Sequence, residues 1–330
     1  MKDCILMTGA GSYLPIKKTS NYDLSKYVDT SDEWIQQRSG IKFRHFVSKN
    51  EKTSDLSTKA ALNALQETNL HPKDIDLIIL ATTTPDNTFP ATAAKVQKNI
   101  NSNATSFDIQ AVCAGFVYAL SVAVSMLKNN FGDKCLVIGA DSMSKILDWN
   151  DRTTSVLFGD GAGAVVLEKS KTTDIKNQNW GVLSNVIYTD GKHYDLLFTD
   201  GGASSNQKTG FIRMQGKEVF KHAVEKLSSS FNEALKLANF TAKDVDWLVP
   251  HQANQRIINA VIDKVGFDKK RVVSTVSKHG NTSAASIPIA LDYALKKKMI
   301  KNGNVLGFQA IGGGLSWGSS IVKYGKPKNS

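Results

Sequence analysis

Cys113, His251 and Asn281 are the residues whose types and settings could carry chemistry. Cys113 lies in Phe107-Asp-Ile-Gln-Ala-Val-Cys-Ala-Gly-Phe116, where a short apolar run ends and a helical pattern of Val117, Leu120, Val124 and Leu127 begins at once. A cysteine at such a corner sits at a helix N-terminus, where free backbone N–H groups and the helix dipole favour the thiolate, the nucleophilic form. The same residue also reads as a small buried hydrophobe. Val249-Pro-His-Gln-Ala-Asn254 ends an apolar strand with a histidine in the loop, which reads as a catalytic or as a structural imidazole. His279-Gly-Asn-Thr-Ser-Ala-Ala-Ser286 puts a carboxamide at a helix start, where asparagine is commonly a cap. Each alone is ambiguous; a thiol, an imidazole and a carboxamide together are a set for nucleophilic catalysis.

The elements that must position them are those of a large globular chain. With 330 residues, 41% hydrophobic and 22% charged, the chain can bury a full core as one domain or two fused ones, and its composition argues against disorder. The apolar run at Met1–Met7 is too short for a signal peptide, and no apolar stretch is long enough to span a bilayer. Three scattered cysteines (Cys4, Cys113, Cys135) without a C-x-x-C fit a reducing, cytoplasmic setting and argue against a disulfide framework or a zinc site. The net charge of +11 suits an acidic partner or simply a solvated basic surface. The lysines are spread along the chain without basic–aromatic alternation, so neither nucleic acid nor a membrane is expected as partner.

Taken in order, Ile5–Thr8 reads as a strand closing on a Gly9-Ala-Gly11 turn, with Leu14 where a dinucleotide fingerprint needs its third glycine. Thr30-Ser-Asp-Glu33 reads as a capping box opening a short helix that ends near Gly40 and carries Trp34 and Arg38 one turn apart. A second helix starts at Thr53, a strand buried on both faces runs over 76–81, and a Pro-bounded helix covers 90–100. Strands follow near 106–109 and at 135–139, and Gly159-Asp-Gly-Ala-Gly163 enters another as a close backbone approach rather than a phosphate cradle. Residues 189–213 read as an irregular loop or flap, and 215–237 as a long helix.

The same order of elements occurs twice. Asp76–Ala81 matches Asp246–Val249, Ser106–Cys113 matches Val272–Asn281, Cys135–Gly139 matches Asn304–Phe308, and Gly163–Val166 matches Gly318–Val322. Two α/β halves, divided as 1–175 and 176–330, would gather their strand ends around one crevice and bring the Cys113 corner, the His251 loop and the Asn281 corner together.

These motifs carry a family resemblance. Ala111–Phe116, His251–Asn254, Gly280–Ser286 and Gly312-Gly-Gly-Leu-Ser-Trp-Gly318 resemble those of 3-oxoacyl-[acyl-carrier-protein] synthase III, the initiating condensing enzyme of type II fatty-acid synthesis. Thr30–Trp34, Asp151-Arg152 and Phe158–Gly163 match as well, so the likeness covers nearly the whole chain. It implies the thiolase fold, a five-layer αβαβα sandwich, and a homodimer. Cys113 would take the acyl group from acyl-CoA, with the N–H groups of Cys113 and Gly313 as oxyanion hole. His251 and Asn281 would hold the enolate formed from malonyl on acyl carrier protein. The resemblance implies no metal and no cofactor beyond the two thioester substrates.

Binding roles follow in the same way. Trp34 and Arg152, with Arg38 nearby, resemble the residues around the CoA adenine, and Gly216 and Asn254 those lining the pantetheine tunnel. Lys221, Arg256 and Lys264 resemble the patch that docks the acidic carrier protein, which would give the net charge a use. Phe89, Phe158 and Ile311 fall at acyl-pocket positions, Phe89 at the one that reaches into the partner subunit. Two departures stand out. Asp263 replaces a lysine usual in the docking patch, and Ile311 stands where the family often has phenylalanine. The rival readings are a specialised paralogue making a secondary metabolite or signal from other acyl-CoA thioesters, and a non-catalytic carrier-protein-binding protein. Gly314-Leu-Ser-Trp-Gly318 fits a serine-hydrolase elbow, but a strand-like run and no histidine follow Ser316.

Overall fold

The computed structural model describes residues 3–170 and 180–327, so the expected boundary at 175/176 lies outside the described residues. Two sheets form the frame. The first has five strands in the spatial order Cys4–Tyr13, Asp160–Ser170, Lys134–Ser142, Leu77–Ala81 and Thr105–Ile109. The second has four, in the order Gly181–Thr189, Ser316–Lys323, Val305–Gly312 and Trp247–Pro250. Strand 77–81 pairs in parallel with both 105–109 and 134–142, as 247–250 does with 305–312. The remaining ladders are antiparallel. The duplication extends to detail. Asp76 caps the start of strand 134–142 through the Asp133 and Lys134 N–H groups, and Asp246 caps strand 305–312 through that of Val305. The counterpart of strand 105–109 is reduced to one parallel bridge between Leu248 and Val272.

Helix composition sets the layers. Helices 115–128 and 286–296 are apolar almost all round, as a helix between two sheets must be, and they fill the centre. Helices 53–68 and 92–99 cover the outer face of the first sheet, and 216–237 and 255–265 that of the second. Helix 216–237 buries a single stripe that includes Ala223, Leu227 and Phe231. The result is the five-layer αβαβα sandwich of the thiolase fold.

Three local expectations need correction. Gly9 and Gly11 make no turn: strand 4–13 runs through them with a bulge after Met7, and a Cβ on Gly11 would sit 2.2 Å from the Ala64 N of helix 53–68. The glycines let a helix lie flat on the strand. The cap of helix 32–39 is Ser31, whose side chain accepts the Trp34 N–H, and not Thr30. The 189–213 stretch is more ordered than an irregular loop, because a 3-10 turn at 191–196 leads into a hairpin of 197–199 with 212–214.

Candidate active site

Cys113 occupies the middle of a 3-10 turn, Val112–Ala114, between strand 105–109 and helix 115–128. Val112 is held at φ +49°, a left-handed conformation that a β-branched residue reaches only with strain. His251 follows strand 247–250 directly and donates its backbone N–H to the Gln309 carbonyl at 2.8 Å. Asn281 follows the short helix 276–279 and Gly280, and pairs in parallel with Phe158. All three side chains are buried and line one cavity of about 660 Å³.

Hydrogen bonds fix two of the three orientations. The Asn281 side-chain oxygen accepts the Ser283 N–H at 2.8 Å, which leaves the carboxamide N–H groups for the cavity. His251 Nδ1 lies 2.6 Å from Ser286 Oγ, and that hydroxyl also accepts the Gln252 N–H at 3.3 Å. With the hydroxyl donating to Nδ1, the imidazole proton sits on Nε2, towards the cavity. Burial drives the His251 pKa from 6.5 down to about 3, so the ring is neutral. Gln252 clamps the loop behind it. Its side chain donates to the Pro250 and Val273 carbonyls and accepts from the Thr275 and Val276 N–H groups.

The electrostatics of Cys113 differ from the expectation of a favoured thiolate. Burial pushes the thiol up to about 12, outweighing the help that Ser283, Asn281 and the Cys113 backbone give the anion, and the nearby Asp141 carboxylate adds to the rise. The helix N-terminus is where it was expected, but desolvation wins, and the resting group is a thiol.

A second cavity of about 320 Å³ meets the first at Cys113, Phe158 and Leu197. Met143, Ile146, Phe198 and Ile212 give it apolar walls, and Gly313 lies in it beside Cys113. Gly312 touches the same turn: a Cβ there would stand 2.6 Å from the Cys113 N. Only glycine lets the strand approach the turn this closely.

The other expected residues divide between the two cavities and the surface. Trp34, Arg38, Gly216, Asn254, Arg256 and Ile311 line the larger cavity. The Arg38 and Arg152 guanidiniums lie 5.8 and 5.2 Å from the Trp34 ring centre, and Arg152 also donates to the Asp29 carbonyl at 3.1 Å. Asn254 caps helix 255–265 and donates to the Arg38 carbonyl, tying the Trp34 helix to the His251 loop. Lys221 and Lys264 are exposed outside the cavity, and Asp263 pairs with Lys269 at 2.8 Å. Phe89 is 83% exposed and lines neither cavity. Ser316 begins a strand, as its rejection as a hydrolase serine requires. Sequence reasoning missed Gln252, Ser286 and Asp141. The first neighbours His251, and the third ends a buried strand with a charge, which was a signal that could have been read.

Known proteins agree with this frame. The family model for 3-oxoacyl-[acyl-carrier-protein] synthase III matches residues 107–191, and the model for its C-terminal part matches 235–324. The beta-ketoacyl-[acyl-carrier-protein] synthase III of Paramagnetospirillum magneticum is 52% identical, over 96% of this chain and 97% of its own. The crystal structure of the Aquifex aeolicus 3-oxoacyl-[acyl-carrier-protein] synthase III is 44% identical, with a TM-score of 0.91 over 97% of this chain and 100% of that one. A priming beta-ketosynthase of a polyketide biosynthetic pathway superposes with a TM-score of 0.92 at 30% identity, over 99% of this chain and 98% of that one. By fold, site architecture and full-length identity, the chain belongs to the 3-oxoacyl-[acyl-carrier-protein] synthase III family.

Proposed function

We propose that the chain is the initiating condensing enzyme of fatty-acid biosynthesis, joining a short acyl group from acyl-CoA to malonyl-[acyl-carrier-protein] with loss of CO2. The observation that carries it is the convergence of Cys113, His251 and Asn281 on one cavity, with Cys113 also at the mouth of a second, apolar one. The larger cavity, running from Trp34 and Arg38 inwards, suits a pantetheine arm; the smaller suits the acyl group.

In the first half-reaction the Cys113 sulfur attacks the acyl-CoA thioester and its thiol proton passes to the departing sulfur, so that CoA leaves as its thiol. The Cys113 N–H, beside Gly312, and the Gly313 N–H hold the oxyanion. In the second, malonyl on the carrier protein loses CO2. The enolate oxygen accepts hydrogen bonds from His251 Nε2–H and the Asn281 amide. The carbanion attacks the acyl-Cys113 carbonyl, the C–S bond breaks to release the 3-oxoacyl product, and the Cys113 sulfur takes a proton from solvent to return to the thiol. A neutral imidazole with its proton on Nε2 suits this role, because it donates a hydrogen bond to the enolate oxygen without carrying a charge into a buried site. For an adenine to stack between Trp34 and Arg152, the guanidinium, now 5.2 Å from the Trp34 ring centre, must move off that face.

The acidic carrier protein docks on exposed Lys221 and Lys264, with Arg256 at the cavity mouth. Two copies of the chain associate with Phe89 of each at the other's acyl pocket, in the cytoplasm, with neither metal nor redox cofactor. Among the described residues no helix is long and apolar enough to cross a membrane. A panel of acyl-CoA primers with malonyl carrier protein tests the reading. Acyl mass on Cys113 and a 3-oxoacyl product from a short primer support it. A preference for long or unusual primers would favour the specialised paralogue, and no acyl mass at all the binding protein.

A further inference from the structure

Asp141 is wholly buried at the end of strand 134–142. It is a carboxylate without an ion pair among the described residues, in a place where an uncompensated charge is costly. Donors surround it instead. One oxygen accepts from the Thr83 N–H at 2.7 Å, the Thr84 N–H at 3.2 Å, and the Thr82 and Thr84 hydroxyls at 3.2 and 3.1 Å. The other accepts from the Ala284 N–H at 3.2 Å. One side chain thus joins two loops that come from opposite halves of the chain. The 82–84 loop gives Thr83 to the wall of the smaller cavity. The 283–284 turn follows Asn281 and carries Ser283 at φ +51°.

Ser283 links the arrangement to the sulfur. Its hydroxyl is buried with no partner at hydrogen-bond distance, yet it lies near enough to favour the anions of both Cys113 and Asp141. The Ser283 N–H, in turn, sets the Asn281 carboxamide. Holding this turn at a left-handed φ costs energy that something must offset, and the Asp141–Ala284 bond does so from the next residue.

We propose that Asp141 is a positioning residue of the condensing site, orienting the Asn281 amide and setting the electrostatic environment of the Cys113 sulfur through the Ser283–Ala284 turn. This rests on Cys113 being the acylated residue. The groups facing the sulfur are Ser283, Asn281, His251 and, behind the turn, Asp141. Burial pushes the Asp141 carboxyl up, while the Thr83 and Ala284 N–H groups and the Ser283 and Thr84 hydroxyls favour its anion. Replacing that anion by a carboxamide of the same shape therefore makes the thiol easier to ionise and loosens the Asn281 amide.

The test compares wild type with Asp141→Asn and Thr82→Val, the second of which keeps the carboxylate and removes one of its donors. Three readouts are taken: the pH dependence of iodoacetamide alkylation of Cys113, the steady-state kcat and KM for acetyl-CoA, and the melting curve. For Asp141→Asn the alkylation profile moves down by about one pH unit. Its kcat falls at least about tenfold while KM stays within about twofold, as loss of transition-state geometry requires. A purely structural role would lower the melting temperature and leave the alkylation profile of the folded protein in place. A folded Asp141→Asn with wild-type profile and kcat overturns the proposal. Should that variant not fold, Thr82→Val decides: a lowered kcat with a displaced profile supports the proposal, and wild-type values of both overturn it. If wild-type protein gains no acetyl mass on Cys113, the condensing reading fails separately, and the alkylation profiles still decide the role of Asp141.

Discussion

Cys113 and Ala284 occupy matching positions in two matching elbows. Each is the middle residue of a 3-10 turn, each follows a residue at positive φ (Val112 at +49°, Ser283 at +51°), and each turn feeds one of the two central helices. Only one elbow carries sulfur. At the other, the Asp141 carboxylate takes the Ala284 N–H, whereas the Cys113 nitrogen lies against Gly312. The repeat thus uses the same turn twice, once to hold a loop and once to place a thiol in the cavity.

Replacing Cys113 tests the nucleophile directly. Cys113→Ser should retain the fold and gain no acetyl mass from acetyl-CoA, with condensation down at least about a thousandfold. Near wild-type turnover would refute the assignment.

The proposed second half-reaction rests on His251 and Asn281. Substituting either with alanine should slow malonyl decarboxylation by about a hundred- to a thousandfold, the usual loss for one donor to a developing oxyanion, and largely spare self-acylation. CO2 release and acetyl mass gain, measured on the same preparation, separate the two. Equal losses would count against this division.

Ser286 gives a subtler test, because its hydroxyl holds the His251 tautomer at 2.6 Å. Ser286→Ala should lower kcat about tenfold, roughly one hydrogen bond's worth of orientation, with KM for acetyl-CoA unchanged. A kcat equal to wild type would show that the ring needs no such hold.

Acid stability follows from one buried ring and one half-buried ring. Burial is the largest cause of the fall of His251 from 6.5 to about 3 and of His279 from 6.5 to about 4. Below pH 6.5 the unfolded chain takes up protons that the native chain refuses. Stability is therefore full above 6.5 and is lost as pH falls towards 4 and then 3. Denaturant midpoints should drop between about pH 7 and 5, and His279→Gln should flatten the slope. A slope unchanged by that substitution would assign the acid sensitivity elsewhere.

Carrier docking is best tested away from the cavity. Arg256 lines it, so its reversal would disturb acyl-CoA use as well. Lys221→Glu with Lys264→Glu should raise KM for malonyl carrier protein about tenfold, more at low salt, and leave acetyl-CoA kinetics alone. An unaltered KM would place the docking surface elsewhere.

Element order, the buried strands and the two apolar central helices were legible in the residues, because a strand or helix covered on both sides must be apolar throughout. Leu77–Ala81 and helix 115–128 show this directly. The candidate triad was legible too, since each member ends a recognisable strand or opens a recognisable turn, and the duplication implied one crevice. Local pattern could not give the charge state of Cys113. It suggested a dipole-favoured thiolate, but desolvation depends on everything that closes over the sulfur, and burial by distant segments reversed the sign. Nor could it give the partners of His251 and Asp141, 35 and 143 residues away in Ser286 and Ala284. A hydrogen bond between remote residues leaves no period in the chain, so only folding decides which nitrogen of His251 carries a proton and which loop a buried carboxylate holds.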